Sequence, residues 1–414
     1  MSPASTQTPL QEPPAPAVSR PQRIILAAFV IGFTVLLGPY VTQGLLPALG
    51  RTFEISEAAA SLSLSVTTFG IAVALIPMGI LASRVGAIPV LLTGGAIAGV
   101  MALSFPWAPS FEAMLILRGI EGIALAAMPA SILGMLAERL NGTDVAKGVG
   151  AYLAGNSLGG LSSRVCAGVL ADQWGWQWAA TIMGLLVVLG MITIYLLLRH
   201  EPRRLSHVPA ADSSLAGIPS RRGVHRVTAY FDNQLWRYYL IGALCMVVFG
   251  GSYTMLGTRL EVAPFFLSQT LVGAFFLIYL AGTLVSSQYG RIHKHLGTRA
   301  STVIGATLAI LGAVLTLPNN IPLIIVGFVL ITAGFFTGHL GASHSVSSTP
   351  SPKPAIAAAL YLTCYYIGAS LGAWAAAQMY QAWAWPGVGA LSAVAMIAVV
   401  LLTLTAAQVR APRK

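Results

Sequence analysis

Apolar residues fill this chain in long blocks, and short polar stretches separate them. The blocks run over 24–47, 58–82, 88–107, 112–137, 148–170 and 178–198, then over 238–258, 269–288, 300–317, 321–341, 354–379 and 387–407. Each approaches the roughly 20 residues that an α-helix needs to cross a bilayer. None alternates polar and apolar residues in the way a membrane barrel strand does. Backbone groups in lipid must be satisfied within the segment, which leaves the helix as the viable form. The pattern predicts an all-α integral membrane protein with twelve transmembrane helices.

The second six blocks repeat the first. Gly79 and Gly86 frame the exit from the second block, and Gly290 and Gly297 frame the exit from the eighth, 211 residues on. Tyr152, Gly159, Trp174 and Trp176 recur as Tyr361, Gly368, Trp383 and Trp385, each 209 residues on. Copies in the same order imply two parallel six-helix bundles, the architecture of carriers that rock around a central site. The expected boundaries are a disordered tail over 1–22, a bundle over 23–198, a linker over 199–237, a second bundle over 238–407 and a tail over 408–414.

Composition agrees with this reading. Only 8% of the 414 residues are charged and 56% are hydrophobic, whereas a soluble domain carries about 25% charge. The proline-rich start lacks the apolar core of a cleaved signal. Cys166, Cys245 and Cys364 are scattered in apolar blocks, which suits packing rather than disulfides or metal binding. The net charge of +11 is explained by its placement. With the N-terminus inside, all but four of the 23 Lys and Arg residues fall in inner segments. Arg51 and Arg259 fall outside, and Arg118 and Arg164 fall within spans. The positive-inside rule therefore puts both termini in the cytoplasm, and no nucleic-acid partner is needed.

Ionisable residues inside spans are costly and point to function. Arg118 and Glu121 lie three apart in the fourth span, on one helix face where they can pair. Burial and the adjacent guanidinium act oppositely on the proton affinity of Glu121. A static packing pair is the alternative. In the fifth span, Gly155, Asn156, Gly159 and Gly160 precede Arg164, and small residues at this spacing allow close helix approach. Arg118, Glu121 and Arg164 are expected to form one cluster, with a snorkelling Arg164 as the competing reading. Tyr40, Gln43, Asn156, Tyr253, Phe335, Tyr365 and Tyr366 are candidates to line a cavity for an organic solute. His339 and His344 show no evident partner. Trp174, Trp176, Trp178, Trp383 and Trp385 read as an interfacial belt.

Several of these motifs resemble those of the major facilitator superfamily. Gly79, Leu81, Arg84 and Gly86 match its loop between the second and third spans, although Ser83 replaces the usual Asp and Ala87 and Ile88 replace a basic pair. Gly290, Gly297 and Arg299 match in the second copy, with Lys294 in the acidic place. Arg118, Glu121 and Gly122 are similar to its fourth-helix motif, with Glu121 in place of Gln. The Gly150–Gly160 stretch resembles its fifth-helix antiporter motif, with Asn156 in place of Pro. Within the superfamily the chain resembles the YnfM-type inner-membrane transport proteins through Tyr40–Pro47, Ser61–Ser65, Gly155–Gly160 with Arg164, Gly334–Phe336 and Leu360–Gly368.

The resemblance implies a secondary transporter of a bacterial inner membrane that exports a small organic solute in exchange for protons. A uniporter or a proton-coupled uptake symporter is the alternative. Glu121, Arg118 and Arg164 are the expected proton-coupling residues. Gly79, Arg84, Gly86, Gly155, Gly159, Gly160, Gly290 and Gly297 are the expected gating and packing residues. The expected partners are the solute, protons and the bilayer, with the chain acting as a monomer. No enzyme activity, cofactor or metal is expected, since no P-loop, nucleophile–base pair or metal-ligand cluster is present.

Overall fold

The computed structural model describes residues 21–201, 235–349 and 354–405. Residues 1–20 of the expected first tail, the expected last tail and most of the expected linker lie outside the described residues, while Pro21 and Gln22, expected in the tail, open the first helix. The first half comprises α1 (Pro21–Leu37), α2 (Leu46–Phe53), α3 (Glu57–Val85), α4 (Ala87–Ser104), α5 (Phe111–Leu125), α6 (Ala127–Arg139), α7 (Thr143–Trp174) and α8 (Trp176–Leu198). The second comprises α9 (Leu235–Leu260), α10 (Gln269–Phe275), α11 (Tyr279–Leu315), α12 (Ile321–Ser348) and α13 (Pro354–Thr405). No strand occurs among the described residues.

Eight helical stretches are long and apolar enough to cross a membrane. Two of them each hold two of the predicted spans. α11 breaks at Gly297, with φ 72°, and α13 breaks at Trp383–Ala384, with φ 50° at Ala384. The other two predicted spans are α1, which is short because the chain unwinds after Leu37, and α7, which is 32 residues long but carries Asn156, Ser157, Ser162, Ser163 and Arg164. Twelve helical segments therefore occupy the twelve predicted positions.

The repeat is visible in the backbone. Gly86 and Gly297 take φ of 104° and 72°, and Gly175 and Ala384 take 79° and 50° at equivalent turns. Positive φ is the reason for glycine at the first three. The Gly79–Gly86 and Gly290–Gly297 stretches, expected as turns, are helical up to their last residue, so only Gly86 and Gly297 turn the chain. Gly79 and Gly290 sit inside helices, and a Cβ on Gly290 would meet nothing within 4 Å. Arg84 is exposed in the last turn of α3.

Small residues set the tightest packing. α1 lies against α7 with Gly32, Gly155 and Gly159 facing backbone, so that any Cβ there would collide with the Tyr152, Phe29 or Phe33 carbonyl. Gly368 and Gly372 of α13 pack in the same way on the backbone of α9 at Ala243 and Val247. Without a hydrophobic drive between helices in lipid, close backbone approach supplies the packing energy. Large apolar side chains such as Ile116, Leu284 and Val394 are exposed on the outer faces, as lipid-facing residues must be.

The halves meet along α3 and α13, where Ser65 and Ser370 exchange hydroxyl-to-carbonyl hydrogen bonds of 3.0 and 2.8 Å. They also meet at the end of the molecule that carries α2 and α10. There Gly168 of α7 lies against Gln269, Asp172 accepts from the Gln269 and Thr270 amides, and Arg51 pairs with Glu261 at 3.3 Å.

Candidate functional site

The break between α1 and α2 organises the site. Gly38-Pro39 ends the helix, because Pro39 lacks an amide N–H and disfavours helical backbone at the residue before it. The Leu37, Gly38 and Pro39 carbonyls lose their α-helical donors, and side chains supply them, with the Val41 amide also reaching Gly38 O at 3.4 Å. Ser163 donates to Leu37 O at 2.6 Å, and Arg118 donates to Gly38 O at 3.3 Å and Pro39 O at 2.6 Å. Arg118 also reaches Ser63 O at 3.2 Å and Thr42 Oγ1 at 3.4 Å. The equivalent helix of the second half, α9, runs unbroken from Leu235 to Leu260, so this feature is not repeated.

Glu121 completes the Arg118 site. Its Oε2 accepts from Arg118 Nη1 at 2.7 Å, and both side chains are sealed from solvent. The Oε1 atom is buried with no hydrogen-bond partner among the described residues. Gly38 and Gly122 make room for the pair. A Cβ on Gly38 would stand 2.8 Å from Glu121 Oε1, and one on Gly122 would strike the Thr67 backbone.

Arg164 does not join this pair, contrary to the three-residue cluster expected from sequence. It holds the other side of the same break. Its Nε donates to Gln43 Oε1 at 2.6 Å and its Nη1 to Gly160 O at 2.6 Å. The guanidinium lies 3.9 Å from the Tyr40 ring centroid, 4.8 Å from Tyr279 and 5.3 Å from Phe276. It is buried, which excludes snorkelling. Gln43 in turn donates to Thr254 Oγ1 at 2.9 Å on α9. Arg164 is thus set in the seam between halves, with ligands from α1–α2 on one side and rings from the second half on the other. The link between the two arginines is the 38–43 backbone, not a direct contact.

The remaining candidates separate. Tyr40 and Gln43 line the Arg164 site. Asn156 is half-buried and hydrogen-bonded to the Tyr152 side chain, and its Oδ1 has no partner among the described residues. Phe335 stacks on Phe249 at 4.0 Å and sits 6.4 Å from Tyr365, which is half-buried. Tyr366 crosses to the core of the first half. Tyr253 does not line open space. It is fully buried within the second half and hydrogen-bonded to Thr332 at 2.8 Å. His339 has a partner after all, the Tyr361 hydroxyl at 2.6 Å. The tryptophan belt divides as well. Trp174, Trp178 and Trp383 are exposed, but Trp176 and Trp385 are buried and donate to Thr52 at 2.8 Å and Thr316 at 2.9 Å. Arg259, expected in a loop, is buried at the end of α9 against the Thr316–Pro318 carbonyls.

Sequence reasoning missed Pro39, Thr42, Ser163, Thr254, Phe276 and Tyr279. The Gly38-Pro39 pair inside an apolar block is the signal that would have located the break. It also missed the end contact. Glu261 lies just past α9, and burial pushes its carboxyl above the ordinary value while Arg51 opposes the shift.

A broken first helix, two repeated bundles and buried charges at their seam define a membrane carrier. The sequence model of the Major Facilitator Superfamily matches residues 28–338, and the chain belongs to that superfamily. Its relatives are transporters. It is 29% identical over 398 residues to the uncharacterized MFS-type transporter YybF of Bacillus subtilis (strain 168), which covers 95% of this chain and 96% of YybF. It is 29% identical over 380 residues to the inner membrane transport protein YnfM of Escherichia coli (strain K12), over 92% and 89% of the two chains. The nucleoside transporter NupG superposes with a TM-score of 0.73 at 16% identity, over 92% of this chain and 99% of NupG. A bacterial homologue of the lysosomal transporter Spinster, inward-facing and unoccupied, gives 0.72 at 16% identity, over 93% and 95%. The spans and these relatives support a multi-pass protein of a bacterial inner membrane that moves a small molecule.

Proposed function

We propose that this protein exports a small organic solute in exchange for protons by alternating access. The observation that carries the reading is the sealed Arg118–Glu121 pair, with one carboxylate oxygen unpartnered, seated against an unwound segment of helix. A buried carboxylate in a membrane helix is retained at a cost of several kcal/mol unless it works. Protonation of Glu121 removes the charge that holds Arg118 Nη1. Arg118 then rests on the Gly38, Pro39 and Ser63 carbonyls and the Thr42 hydroxyl. The pull on the break reaches Tyr40 and Gln43, which hold Arg164 on its other side. One proton therefore biases the seam where the solute binds. With both termini read as cytoplasmic, the end closed by Arg51–Glu261 and Asp172 is the outer one.

The test uses protein in liposomes with an internal pH dye and an interior-acidic gradient. Sugars, organic acids, amino acids and cationic drugs are added outside in turn. Loss of internal acidity with one compound, absent in empty liposomes, supports exchange. Solute movement without proton movement replaces it with a uniporter, and movement of both in one direction replaces it with a symporter.

A further inference from the structure

We infer that the solute is an organic carboxylate, its charged end taken by Arg164 and its apolar or aromatic body by the rings of the second half. This rests on the reading of the seam as the solute site. The buried arginines make the argument. Arg118 has Glu121, and Arg139 has Glu138 at 3.0 Å and Glu201 at 3.7 Å. Arg259 closes a helix end by donating to three carbonyls. Among the described residues, Arg164 has no carboxylate partner. It donates to a neutral amide oxygen and a neutral carbonyl, and the side chains it meets at Tyr40 and Tyr279 are neutral as well, which leaves its charge unmatched.

A buried cation without a counter-charge is costly unless something anionic comes to it. The faces of Tyr40, Tyr279 and Phe276 hold the guanidinium in place without cancelling its charge. The planar fork matches a carboxylate in a two-bond geometry. A cationic solute would meet repulsion there. Beyond the guanidinium the rings continue. Tyr279 lies 4.9 Å from Phe249, Phe249 stacks on Phe335 at 4.0 Å, and Phe335 neighbours Tyr365 at 6.4 Å. Phe249 and Phe335 are packed inside the second half, and the half-buried Tyr279 and Tyr365 that flank them are the rings a solute's apolar body would meet.

The test needs no prior substrate. The purified full chain is heated in detergent with benzoate or phenylacetate, with benzamide, with benzylamine and with phenyl phosphate. The expected result is dose-dependent stabilisation by a carboxylate and by neither the amide nor the amine. Arg164→Gln should weaken carboxylate binding at least about tenfold, and Arg164→Lys should restore part of it. A variant that elutes as wild type on gel filtration qualifies for comparison, and the isostere series on wild type needs no variant. Absence of a carboxylate preference, absence of all binding, or a stronger response to phenyl phosphate overturns the inference. The proton assay fails separately. Arg164-dependent carboxylate binding without proton movement sinks the exchange reading alone, and proton exchange driven only by sugars or amines sinks the carboxylate alone.

Discussion

Glu121→Gln is the substitution that tests coupling with the least disturbance. The side chain is sealed, and the amide is nearly isosteric with the carboxylate, so no cavity opens. The amide oxygen can accept from Arg118 Nη1 at the position that Oε2 now holds, 2.7 Å away. What is lost is the charge. Removing one partner of a buried pair costs about 3–5 kcal/mol when the other charge is stranded. Arg118 is not stranded, because Gly38 O, Pro39 O, Ser63 O and Thr42 Oγ1 remain. The expected cost is therefore nearer the difference between a charged and a neutral hydrogen bond, about 1–2 kcal/mol. The variant should elute as folded protein after mild heating, whereas Glu121→Ala, which also empties the site, should lose most of it. Transport gives the decisive readout. Across a gradient of about one pH unit, one exchanged proton supplies roughly 1.4 kcal/mol, enough to hold about a tenfold solute gradient. Wild-type proteoliposomes should sustain that ratio, and Glu121→Gln should fall to equal concentrations while still exchanging solute. A variant that holds the tenfold ratio would refute the assignment of Glu121.

Three further outcomes are expected. Gly159→Ala should destabilise by about 1–3 kcal/mol through overpacking of α7 on the Phe33 carbonyl, while Gly150→Ala, with nothing within 4 Å, should be neutral when both are compared by thermal unfolding. Trp176→Phe should cost about 1 kcal/mol through its lost bond to Thr52, and Trp174→Phe, at an exposed site, should cost nothing measurable in the same assay. Glu261 makes the contact at the α2–α10 end pH-sensitive. Its carboxyl is raised when that end is closed, chiefly by burial, so the closed form binds a proton more tightly than an open, hydrated one. Closure is then favoured as pH falls and is lost as pH rises through the raised value, against the opposing pull of Arg51. Hydrogen exchange at the Gln269 and Thr270 amides, which donate to Asp172, should quicken over that rise beyond its intrinsic pH dependence, and Glu261→Gln should flatten the effect.

The hydrophobic pattern by itself determined the class of fold. Twelve apolar blocks without alternation admit only helices in a bilayer, since each backbone bond must close within its own segment. The paired Gly86 and Gly297 marked real turns because positive φ is a local demand that glycine alone meets cheaply. The Arg118–Glu121 pair was also legible, because residues three apart on a helix share a face whatever surrounds them. Partners distant in sequence were not legible. Arg164 sits in a span next to that of Arg118, yet it faces Gln43 and the rings of the second half, because the broken first helix stands between the two arginines. Trp174 and Trp176 are two residues apart at one helix end, and one faces out while the other is packed against Thr52. Tyr253 carries the same chemistry as Tyr40 and is enclosed in a bundle core. Rotation of each helix about its axis, and its neighbours across the seam, come from packing among segments as much as 305 residues apart, and the period within a segment carries no record of them.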